Sequence, residues 1–234
     1  MSLTLGRGPL GREQAGELNL TLPDKVVYVE PLGRRVRGVR GGETVVDSDD
    51  AKLVHVSGEL PRYVFPEKHV RVDAEPHPDV DGHVTVDWAA VDAWYEEDER
   101  VFVHPRDPYH RIDTFATSRR VEVRIDGETL ASSTRALALF ETALPVRYYL
   151  PRADVCMDAL RPSSTVTECA YKGTARHWSA VLDSRETRDV AWTYEHDVRR
   201  EGERVHGLIA FYNERVDFEV DGIRLDRPRT PWST

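Results

Sequence analysis

The sequence predicts a mainly β protein made of two tandem copies of one small domain with short helices. Three observations carry this. Residues 35–73 match residues 120–158 without a gap at an offset of 85, with identity at 12 of 39 positions, as an internal duplication would leave. Val121, Val123 and Ile125 alternate with Glu122, Arg124 and Asp126, the period of a half-buried strand. Short apolar runs follow one another closely, separated by Gly, Pro and Asp turn signals. The expected domains are residues 1–113 and 114–234.

The elements of the second copy follow in order. Residues 1–24 read as an extended arm before the first copy. Val121–Ile125 is a strand, and Asp126-Gly127 is a hairpin turn, where positive φ suits glycine. Ser133 or Thr134 can cap a short helix running through Glu141, with Ala136, Leu137, Leu139 and Phe140 as its apolar side. Pro145 and Pro151 bracket a strand over Val146–Leu150. Further strands are expected at 176–182, 190–194, 207–212 and 215–220. Glu214–Gly222 resembles Arg119–Gly127, so one strand type opens and closes the unit. Residues 226–234 read as a second arm.

Composition narrows the function. The 234 residues are 40% hydrophobic and 31% charged, which excludes intrinsic disorder. A formal charge of −9 argues against nucleic acid as a partner, because phosphate binding needs a clustered basic face. No apolar run approaches the ~20 residues of a membrane helix, and the N-terminal stretch lacks the apolar core of a signal peptide. Cys156 and Cys169 cannot build a Cys₄ zinc site or a disulfide framework, so the reading is cytoplasmic, with no metal and no cofactor expected. No P-loop, GxGxxG, HExxH or GxSxG occurs. Lys172 is the only lysine beyond residue 68.

Several constellations could carry chemistry. Cys169-x-x-Lys172, in a turn closed by Gly173, would let an ammonium favour a thiolate or hold an anion; a buried, inert cysteine is the bland alternative. In Arg147-Tyr148-Tyr149, Tyr148 faces opposite to Arg147 and Tyr149. Tyr148 repeats Tyr63 and reads as structural, whereas Tyr149 stands where the first copy has Val64. Trp192 and Tyr194 share a strand face and could wall a pocket, with Trp178 nearby; Trp94, read as the counterpart of Trp192, favours packing. Glu75, His77, Asp79, Asp81 and His83 alternate, but their prolines and glycine favour a solvated loop over a metal site. His104-Pro105-Arg106-Asp107-Pro108-Tyr109-His110 reads as a rigid junction.

Trp94-Tyr95-Glu96-Glu97-Asp98, Phe140-Glu141-Thr142, Arg147-Tyr148-Tyr149-Leu150-Pro151-Arg152-Ala153-Asp154-Val155, Cys169-Ala170-Tyr171-Lys172-Gly173, Ala191-Trp192-Thr193-Tyr194 and Ala210-Phe211-Tyr212-Asn213-Glu214 together resemble the family called domain of unknown function 427, in tandem form. Ala170 departs from it, since proline is usual there. The resemblance implies a β-tent-like fold around a cavity. Zinc does not carry over from relatives of that fold, because paired CxxC motifs are missing. The nucleotidyltransferase-like label sometimes given to the family lacks its Gly-Ser and paired-acid signature here. The expected function is a small-molecule-binding protein, with room for catalysis, whose pocket lies in the second copy. Cys169 and Lys172 are the catalytic candidates, and Arg147, Tyr149, Tyr171, Trp192 and Tyr194 the ligand-binding ones. The rival is a non-catalytic interaction module whose aromatic-lined cavity accepts a peptide or a partner side chain.

Overall fold

Turn chemistry and alternating apolar side chains produce antiparallel sheets throughout. The computed structural model describes residues 3–12, 14–183, 185–230 and 233. The chain divides into two units, residues 1–110 and 111–234, both mainly β.

The first unit contains β1 (Val27–Pro31), β2 (Val36–Arg40), β3 (Glu43–Ser48), β4 (Lys52–Val56), β5 (Arg62–Pro66), β6 (Glu75–Pro76), β7 (His83–Thr85), β8 (Ala93–Glu96) and β9 (Glu99–Val101). They form two sheets, ordered β1-β4-β5-β7-β6 and β3-β2-β8-β9. Val36, Val46, Leu53, Phe65 and Trp94 fill one core. Residues 4–10 are tied to this unit: Thr4 is buried, Gly58 donates its backbone N–H to the Thr4 carbonyl, and the Ser57 hydroxyl donates to the Leu10 carbonyl. That part of the expected extended arm is therefore folded against the unit.

The second unit contains β10 (Ile112–Ala116), β11 (Val121–Ile125), β12 (Glu128–Ser133), β13 (Leu137–Glu141), β14 (Arg147–Leu150), β15 (Leu160–Cys169), β16 (Gly173–Leu182), β17 (Arg185–Val198), β18 (Ile209–Phe211), β19 (Asp217–Val220) and β20 (Ile223–Arg224). Its sheets run β10-β13-β14-β18-β17-β16-β15 and β12-β11-β19-β20. Strands β10 to β13 lie 85 residues after β1 to β4, with the same ends and the same pairing. The irregularity at Gly38/Val39 recurs at Val123/Arg124, and the bridge Val46 to Val70 recurs as Ala131 to Val155. The hairpin turn recurs too: Gly41 and Gly42 have φ of 59° and 82°, and Asp126 and Gly127 have 50° and 91°, the mirror-image turn that suits twisted strands.

The helix expected through Glu141 is instead β13. Lying between β10 and β14, this strand has Ala138 and Leu139 both buried, so its apolar residues are continuous rather than alternating. A short continuous apolar run does not separate strand from helix by period alone. Ser133 does cap, but it caps a turn: its hydroxyl accepts from the Arg135 backbone N–H at 3.1 Å and donates to Asp154 at 2.7 Å.

Candidate functional site

Every residue of β14 is buried, so its successive side chains serve two cores. Tyr148 and Leu150 pack with Val121, Val123 and Phe218. Tyr149 points the other way, into a cluster with Leu139, Ala175, Trp192, Tyr194 and Val205. That second cluster holds charge. Glu141 ends β13 and Lys172 sits in the turn between β15 and β16, and their side chains form an ion pair only 8% and 7% exposed.

The turn carrying Lys172 is clamped. Cys169 pairs with Gly173 to close it, and Gly173 has φ +104°. A Cβ there would overlap the Asp197 carbonyl, and one on Gly202 would overlap the Lys172 carbonyl, so both positions require glycine. The Arg199 backbone N–H donates to the Lys172 carbonyl at 3.2 Å, while its guanidinium reaches the Cys169 carbonyl and the Glu168 carboxylate. Cys169 and Lys172 are thus held by backbone fit rather than by side-chain packing alone.

Burial pulls the Lys172 ammonium down, but Glu141 foremost, then Cys169 and Tyr149, outweigh it and hold it above the ordinary lysine range. Burial pushes the Tyr149 phenol up to about 12, although Lys172 opposes this. Burial likewise raises Tyr194 well above its usual value. Both phenols are therefore protonated at neutral pH and can donate. The Tyr149 hydroxyl accepts from the Trp192 indole N–H at 3.2 Å, and among the described residues its own proton finds no acceptor. Lys172 uses one of its three donors on Glu141. Lys172 and Tyr149 thus keep donors that no described acceptor takes, beside the Glu141 carboxylate that balances the charge.

The structure brings four of the sequence candidates together: Cys169, Lys172, Tyr149 and Tyr194 lie within electrostatic reach of one another. Cys169 is half-buried and Cys156 exposed, and both thiols are free. Tyr171 is buried in the clamped turn. Arg147 is engaged elsewhere, donating to Glu214 at 2.6 and 2.7 Å and to Asn213 at 3.0 Å, with its guanidinium carbon 5.6 Å from the Trp192 ring centre. Burial pushes the Glu214 carboxyl up, but hydrogen bonds from Arg147 and Thr230 reverse this and leave it below the usual range. Glu141 was missed by the sequence reading as a charged partner. Its signal lay in Phe140-Glu141-Thr142 and in Lys172 being the sole lysine of the second unit.

Trp94 is not the counterpart of Trp192. Trp94 on β8 pairs with Gly38 of β2, the place that Phe218 of β19 takes opposite Val123 of β11. The shared alternation of the two strand types hid this, because the strand in the place of β17 in the first unit is β6, only two residues long. The His77 region is a loop with Asp79 paired to Lys25, and no three His, Cys, Asp or Glu among the described residues are placed to hold a metal.

Residues 113–222 match the family model described as a domain of unknown function (DUF427). The second unit is a DUF427 domain. The match runs from β10 to the turn after β19, so the DUF427 unit contains the whole Glu141–Lys172 group. No curated protein matches the chain significantly. No helix among the described residues is long and apolar enough to cross a membrane.

Proposed function

We propose that the protein binds a small molecule bearing a carbonyl or carboxylate oxygen at the Lys172–Glu141 group of the DUF427 unit. The observation that carries this is a desolvated ion pair inside an otherwise apolar cluster, beside a phenol whose proton has no acceptor. Apolar replacement of a buried pair is often neutral or stabilising, so stability alone does not account for it. In this reading Lys172, Tyr149 and Tyr194 hold the oxygen, Trp192 orients Tyr149, and Cys169 stands at the border as a polar contact or nucleophile. Two free thiols support a reducing, cytoplasmic setting. The shared registers at an offset of 85 support reading the first unit as a diverged copy produced by tandem duplication.

Thiol alkylation tests the site. Iodoacetamide should modify Cys169 faster after the protein is unfolded, freed of small molecules and refolded, while Cys156 reacts at an unchanged rate. An unchanged Cys169 rate, with the fold recovered, counts against a bound occupant.

A further inference from the structure

The first unit carries an open cleft of about 1130 Å³. Tyr63, Trp88 and Trp94 line it with ring centres 5.5 to 6.3 Å apart, Trp88 being the half-buried ring above two buried ones. Its rim is acidic. Asp73, Glu75, Asp79, Asp87 and Glu59 line it against only two cations, and both of those are engaged: Lys25 with Asp79 and Arg62 with Glu59, each at 3.0 Å. Among the described residues no cation pairs with Asp73, Glu75 or Asp87. Burial lowers the pKa of His77 and of His104, so neither histidine offsets the charge at neutral pH.

The second unit shows why the cleft is open. There the equivalents of Tyr63 and Trp94 are Tyr148 and Phe218, and they share a core with Leu160 of β15, Ala180 of β16 and Val190 of β17. In the first unit the corresponding sheet ends at β6, two residues long, which brings no strand of that length over the aromatic floor.

We propose that this cleft binds a small organic ammonium cation. Aromatic faces attract cations through the ring quadrupole, and carboxylates without a cation partner in the same cleft add the complementary charge. A neutral apolar guest would gain from the floor alone, so charge is what the site selects. This site is separate from the Lys172–Glu141 group and stands or falls independently of it.

Calorimetric titration of the full chain with choline, against its neutral carbon isostere 3,3-dimethylbutan-1-ol, tests the proposal. Saturable choline binding is expected, at least about tenfold tighter than the isostere and weakened by added salt. Replacing the exposed pair Asp73→Asn and Glu75→Gln should weaken choline roughly five- to tenfold and leave the isostere unchanged. Trp88→Leu should weaken choline by about tenfold, and thermal melting checks that this variant still folds. Equal binding of choline and isostere, no saturation at millimolar choline, or indifference to the carboxylate substitutions would each overturn it.

Discussion

Removing one partner of the Lys172–Glu141 pair should cost far more than removing both. The two side chains are 7% and 8% exposed, so solvent screening, which reduces surface pairs to about 0–1 kcal/mol, does not apply. Glu141→Gln leaves the buried Lys172 ammonium beside Tyr149 without its carboxylate, Lys172→Met breaks the same pair from the other side, and breaking such a buried pair costs about 3–5 kcal/mol. For a unit of this size that lowers the melting temperature by roughly 10–20 °C. The double variant Glu141→Met with Lys172→Met removes both charges at similar volume and should fall within about 1.5 kcal/mol of the parent. Urea and thermal unfolding followed by far-ultraviolet circular dichroism give the four corners of the cycle. Single losses below about 1 kcal/mol that simply add would show a solvated pair and refute the reasoning.

Two further outcomes follow from the same geometry. Gly173→Ala should destabilise the second unit by roughly 3 kcal/mol or more, because it combines left-handed backbone with overlap on the Asp197 carbonyl, whereas Gly127→Ala, at φ +91° with open space around it, should cost about 1–2 kcal/mol; equal costs in melting experiments would remove the clamp from the account. Stability should also fall as pH rises above about 10. Lys172 keeps its proton in the folded state after the unfolded chain has lost it, and Tyr149, raised to about 12, does the same, so the folded state binds more protons in that window. The double Met variant should show a shallower alkaline limb in pH-dependent melting, and an identical limb would contradict the assignment.

Much of the fold was legible because it rests on local rules. The alternation at Val121–Ile125 and the Asp126-Gly127 turn appear where period and turn chemistry put them, and the 85-residue self-match reappears in the strand registers. β13 was misread because burial on both faces erases the period that distinguishes a strand. Within the site, Cys169 and Lys172 were visible as a spaced pair in a glycine-closed turn. Glu141 was not, since its partner lies 31 residues away across the sheet and no spacing rule links them. The clamp on that turn was equally hidden, because it depends on the backbone of residues 197–202 approaching Gly173. The aromatic cleft of the first unit was obscured for the opposite reason: its lining comes from residues 5 to 105, and only the fold gathers them.

Native mass spectrometry of protein purified without denaturation decides whether the Lys172–Glu141 group holds a small molecule. A small-molecule adduct is expected on the parent chain, lost in the folded Glu141→Met, Lys172→Met double variant and weakened in Tyr149→Phe. A parent chain at its bare mass after gentle purification, or an adduct that persists unchanged in both variants, would contradict it.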